Sequence, residues 1–172
     1  MSLNTPRELF IHELSDSMSA EHIVLKMLGQ LEQETEDSEF REAVSHHRKE
    51  TEQQIDNLRK TFDMLGEKPE ETTCPAAEGL MQEHEELKKE NPPQAVLEIG
   101  NLAGAGKTEH YEMASYTMLA QMARDLGEKE VEELLRENLQ QEKEMARTVE
   151  KLSRRLGKDA KKQMKEQEQA AD

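Results

Sequence analysis

Several residue types are scarce here, and each scarcity excludes something. A single cysteine, Cys74, in 172 residues cannot form an intrachain disulfide and suits a reducing cytoplasm. Only 5 prolines occur, at positions 6, 69, 75, 92 and 93, so long stretches run without a breaker. β-Branched residues are scattered and no segment alternates apolar and polar with period two, which argues against strands. No apolar run approaches the roughly 20 residues of a membrane span, and no apolar core of a signal peptide is expected at the N-terminus. Basic side chains are outnumbered, 23 against 38 acidic, for a formal net charge of −15. That balance excludes nucleic-acid phosphates and anionic lipid as expected partners. Aromatics make up 3% and Trp is absent.

What remains is dominated by Leu, Met, Ala, Glu, Gln and Lys, all good helix formers. Thr5 and Pro6 read as an N-cap and first helical position. The helix they open carries Phe10, Leu14, Ser17, Glu21, Val24 and Leu28 at helical spacing and runs to about Thr35. Ser38 is expected to cap a second helix, with Phe40, Ala43, His47, Glu50, Gln54, Leu58 and Leu65 on one stripe, stopping at Gly66. A long connection over 67–93 contains one short helical pattern near Ala76–Glu90. A third long helix follows Pro93, carries Leu102, Ala105, Glu109, Glu112, Met113, Tyr116 and Leu119, and stops at Gly127. The fourth carries Val131, Leu135, Asn138, Glu142, Met145, Val149, Leu152 and Leu156, and is expected to stop at Gly157. Residues 1–157 form one domain in this reading, and 158–172 a charged tail, frayed or disordered. Tight turns within each helix pair and a long crossover between the pairs predict an all-α, ferritin-like antiparallel four-helix bundle with a short helix in the crossover.

Each stripe contains glutamate flanked by apolar residues on the same face. Glu21, Glu50, Glu109, Glu112 and Glu142 therefore point inward. Five charges inside a bundle cost several kcal/mol each unless a cation sits among them, and Lys and Arg are missing from these stripes. Two divalent cations would nearly balance the charge. His47, one turn before Glu50 on the same face, adds a nitrogen donor. A glutamate-rich, histidine-poor donor set suits iron or manganese better than zinc or copper. The pattern repeats. Ala20, Glu21 and His22 are echoed by Thr108, Glu109 and His110, and the partner glutamates follow at 29 residues (21 to 50) and 33 residues (109 to 142).

At these residues the chain resembles the YciE/YciF family of ferritin-like stress proteins. The resemblance runs from Arg7 to Leu156 and rests on Phe10 to Asp16 with Ser19 and Glu21, and on His47, Glu50 and Thr51 with Gln54. It continues through Glu109, Glu112 and Tyr116, through Glu142 and Lys143, and through Cys74 with Ala77 to Leu80 in the crossover. It implies a homodimer with a di-iron carboxylate site and ferroxidase-like chemistry on Fe(II), with O2 or peroxide, in stress defence. The chain is also similar to rubrerythrin, in which two glutamates three apart on the third helix ligate iron, as Glu109 and Glu112 would here. One departure stands out: where such proteins carry Glu-x-x-His on the second and fourth helices, the third residue after Glu50 is Gln53 and after Glu142 is Met145. Two other readings use the same residues. One is a manganese or iron peroxidase or catalase-like enzyme; the other is a non-enzymatic dimeric stress protein with a structural or vestigial metal site.

Other signals have plainer readings. Gly100 to Thr108 looks like a phosphate-binding loop, but its spacing is wrong and no strand precedes it. Its small residues suit close helix packing instead. The methionines at 113, 118, 122 and 145 read as adaptable core. Tyr116 reads as a core aromatic whose hydroxyl would donate to a ligand carboxylate. His12, His46 and His84 are expected at the surface. Cys74 has no basic neighbour in the sequence that would make its thiol reactive.

Overall fold

A computed structural model describes residues 3–171, and they form five helices. These are α1 (Pro6–Glu34), α2 (Ser38–Leu65), α3 (Pro75–Lys89), α4 (Gln94–Leu126) and α5 (Lys129–Ala171). No strand occurs among the described residues, and no helix there is long and apolar enough to cross a membrane.

Local chemistry explains most of the boundaries. Thr5 and Glu8 make a capping box, Thr5 Oγ1 accepting from the Glu8 amide at 3.1 Å and Glu8 accepting from the Thr5 amide at 2.8 Å. Gly66 and Gly127 end α2 and α4 with φ of 69° and 81°, the left-handed backbone that glycine adopts without a Cβ clash. Two boundaries differ from the sequence reading. The cap of α2 is Asp37 rather than Ser38, because the Asp37 carboxylate accepts from the Phe40 amide at 2.9 Å. Helix α5 passes through Gly157 to Ala171. Among the described residues only Gly66 and Gly127 are glycines with positive φ, and a glycine that stays in the right-handed region does not end a helix. The good helix formers beyond it, with Lys162 paired to Glu166, carry the helix on. Asp172, the last residue of the tail reading, lies outside the described residues.

The four long helices pack as two hairpins, α1 with α2 and α4 with α5, and α2 lies on α5 and α1 on α4. The short α3 runs along the bundle against α1 and α4. A Cβ on Gly100 would run into the Leu87 side chain, so the glycine lets α3 approach α4 closely.

Two apolar clusters fill the ends of the bundle. One gathers Phe10, Leu14, Leu58, Phe62, Leu119 and Leu135; the other gathers Val24, Leu28, Phe40, Val44, Leu102 and Leu152. Each end is also stitched by charge. Arg7 donates to the Leu65 carbonyl at 2.9 Å and pairs with Glu67 and Glu128, tying both interhelix turns together. At the other end Glu98 accepts from the amides of Glu36 and Asp37 at 2.7 and 2.8 Å, and Arg155 forks onto Asp37. The polar centre lies between the two clusters.

Candidate metal centre

Four helices each send acid into this centre: Glu21 from α1, Glu50 from α2, Glu109 and Glu112 from α4, and Glu142 from α5. Glu21, Glu109, Glu112 and Glu142 are buried, as is His47. The side chain of Glu50 is 18% exposed. Turn spacing explains why the imidazole and its neighbour act together. His47 and Glu50 are three apart on α2, so the Glu50 carboxylate reaches His47 Nδ1 at 3.0 Å. The other ring nitrogen, Nε2, faces inward, 3.4 Å from Glu109 and 3.6 Å from Glu142. His47, Glu109, Glu112 and Glu142 can each offer one ligand atom, and those atoms all lie within 4.8 Å of one another. Glu21 and Glu50 lie outside that group of four.

Two neutral side chains hold the carboxylates in place. Tyr116 donates its hydroxyl to Glu21, and Gln54 donates its amide to Glu142. The tyrosine was legible in the sequence as a carboxylate partner. Gln54 sits on the same stripe four residues beyond Glu50 and is among the residues that carry the family resemblance, but neither signal pointed to Glu142 as its partner. A further buried pair, Asn57 donating to Asn138 at 2.9 Å, continues the polar layer away from Gln54 along α2 and α5.

Burial dominates the electrostatics. It pushes the carboxyl groups of Glu21, Glu109 and Glu112 well above the usual range, and the charge of Glu142 adds to the shift in each. Glu50 goes the other way. Its partial burial pulls upward, but the hydrogen bond and charge of His47, with His46 behind, outweigh it and lower the group. Burial likewise raises the Tyr116 phenol, with the Glu21 charge beside it.

The residues fit a cation by a simple test. Buried polar atoms nearly always have partners, yet Glu21 Oε2, His47 Nε2, Glu109 Oε2, both oxygens of Glu112 and Glu142 Oε2 have none. These are the atoms that a divalent ion would use. Carboxylate oxygens with one imidazole nitrogen could hold a divalent metal ion.

Elsewhere, His84 is not a surface group; it is half-buried and meets Glu34 at 3.0 Å, where the crossover helix folds onto α1. Cys74 caps α3, buried, with its sulfur 3.0 Å from the Tyr111 hydroxyl, and burial raises its thiol. Gly100 to Thr108 lies within the continuous helix α4.

Comparison with known proteins gives a consistent placement. The profile of DUF892, a domain of unknown function, matches residues 5–165. Protein YciF of Escherichia coli (strain K12) is 35% identical over 144 residues, 83% of this chain and 87% of that protein. The crystal structure of the E. coli stress protein YciF superposes with a TM-score of 0.87 at 32% identity, covering 91% of this chain and 99% of that one. YcfI from Rhodopseudomonas palustris gives 0.83 at 32% identity, over 87% and 97%. A Xanthomonas campestris protein with 21% identity shares the fold, at 0.77 over 94% and 99%. A family match across nearly the whole bundle, joined to this identity, makes the chain a member of the DUF892 family, the YciE/YciF type that its glutamate and histidine motifs resemble.

Proposed function

We propose that the chain is a di-iron carboxylate protein that oxidises Fe(II) with O2 or peroxide, a role in keeping with its similarity to a stress protein. The observation that carries this is the set of buried, unpartnered ligand atoms in the centre. His47, Glu109, Glu112 and Glu142 supply one compact donor set. Glu21, held by Tyr116, and Glu50, held by His47, would have to turn toward the centre to serve a second ion beside it. In this reading Glu21 and Glu109 would each hold one ion, Glu50 and Glu142 would be shared between them, and Glu112 would be a movable carboxylate. Bound iron, or manganese in its place, supplies reversible one-electron chemistry at the centre.

The chain's own groups do the rest. His47 offers Nε2 to the centre while Glu50 accepts from Nδ1, which sets the tautomer and orients the ring. Gln54 and Tyr116 leave one oxygen each of Glu142 and Glu21 free for a cation. The apolar clusters at either end exclude water and keep the acids from being solvated individually.

Metal analysis after loading with Fe(II) or Mn(II) tests the proposal. About two ions per chain are expected, and fewer than one would sink it. Peroxide consumption in the absence of Fe(II) would instead favour the peroxidase or catalase-like reading of the same centre. If Glu50→Ala combined with Glu142→Ala left metal content and stability unchanged, the non-enzymatic reading would win.

A further inference from the structure

A pocket beside the centre differs from the rest of the core. It opens between α1, α3 and α4 and encloses about 40 Å³. Its deep wall is Glu109, and its outer wall is formed by Leu80 and His84 of α3. Val24, Leu28 and Ala105 make the sides apolar. Thr108 and Asn101 are polar, and the Thr108 hydroxyl is taken up by the Gly104 carbonyl at 3.1 Å, which leaves Asn101. It is 1% exposed, and neither its Nδ2 nor its Oδ1 has a partner. A buried amide with no protein partner on either atom calls for an occupant with complementary groups. Glu109 Oε2, on the same wall, is unpartnered as well.

Size and chemistry restrict that occupant. One water needs about 10–15 Å³ of such space, so this pocket of about 40 Å³ admits roughly three or four non-hydrogen atoms. The occupant has to donate to Asn101 Oδ1 and accept from Nδ2. Dioxygen has no proton to donate and a metal cation cannot accept; water can do both, so it is the competitor that peroxide has to displace. We infer that the pocket is a binding site for hydrogen peroxide, held by Asn101 against the Glu109 side of the centre. Peroxide has two oxygen atoms, each with one O–H donor and lone pairs to accept. Its use as the oxidant there rests on the metal-centre reading; its binding does not.

The test therefore begins without metal. Gly104 lines the pocket, and a Cβ placed on it meets nothing within 4 Å, so a side chain can start there without a clash and Gly104→Met is the variant chosen to occupy the space. Asn101→Leu keeps the volume and removes the amide. In 15N-labelled metal-free protein, titration with hydrogen peroxide is expected to shift the Asn101 side-chain signals and the Ala105 amide saturably. Gly104→Met abolishes the response, and Asn101→Leu weakens peroxide binding read at Ala105 about tenfold, the value of one such hydrogen-bonded group. No saturable shift, or an unchanged one in Gly104→Met, overturns the inference. Dissolved O2, which is paramagnetic, broadens amides around any cavity it enters; broadening at Ala105 without a peroxide response also overturns it. Peroxide binding in a protein that never takes up metal would leave the pocket standing and sink the reading of the centre. Metal uptake with no response at Asn101 would do the reverse.

Discussion

The glutamates inside this bundle and those outside it are the same side chain in opposite physical states. Glu132, near the start of α5, accepts from Arg124 at 2.6 Å and from Arg136 at 2.7 Å, and those bonds hold its carboxyl below the usual range. Glu109 and Glu112, on α4, are buried and held well above it. The outer acid has its own counter-ions and water. Among the described residues, His47 is the one basic side chain that reaches Glu109 and Glu142. The difference teaches that the surplus of acid is two populations. One is neutralised by the protein itself, and the other requires a cation from outside or stays protonated.

The largest expected effect is a reversal of sign with pH. Glu21, Glu109 and Glu112 are raised in the folded state, so the stability they contribute is complete below their unfolded value near 4.5 and is lost as pH rises through the folded ones. Metal-free protein is therefore expected to melt at lower temperature as pH rises from about 5 to 8. Metal-loaded protein should do the opposite, because the ligands must be ionised to bind. At metal concentrations about 100-fold above Kd the added stability is about 2.7 kcal/mol, roughly 5–10 °C in Tm for a chain of this length. A melting series that metal leaves unchanged at every pH would erase the distinction between the two populations.

Gln54→Leu sharpens the inner half of the comparison. It strips Glu142 of its amide donor, at an expected cost of about 1–3 kcal/mol in urea unfolding. Metal affinity should fall about 10- to 100-fold with the loss of this supporting partner. Asp37→Ala removes both the cap of α2 and the partner of Arg155, for about 1–2 kcal/mol at neutral pH. Asp37 is held low by its bond from Arg155. Its contribution is present above the unfolded value and lost as pH falls, so wild type and variant should converge in acid. The smallest effect belongs to Glu132→Gln, which weakens ion pairs to two half-exposed arginines and should cost less than about 1 kcal/mol in a thermal melt. A large shift there would show that the outer acids are not independent of the fold.

Much of the architecture was legible because its signals are local. The Thr5–Pro6 start and the Gly66 and Gly127 stops act within one turn of helix, and the four stripes follow from a period of 3.6 residues. Gly157 misled because glycine marks a helix end only where the chain takes up left-handed backbone, and nothing local forces that there. Asp37 and Ser38 are both good caps, and the choice between them falls to the residue that Arg155, far away in sequence, also holds. Asn101 was invisible for a different reason: an unpartnered amide is defined by what surrounds it, and its surroundings come from three helices.

By itself, the sequence determined that the chain is all-helical and that five glutamates and His47 face inward, since helical spacing alone dictates the face. Only the tertiary structure decided how those groups meet. Nε2 of His47 reaches Glu109 and Glu142 while Nδ1 is taken by Glu50, Tyr116 is matched to Glu21, and Gln54 to Glu142. Those pairings depend on how far each helix slides along its neighbours. That register is set by side chains from all four helices packing together, which no single helix encodes.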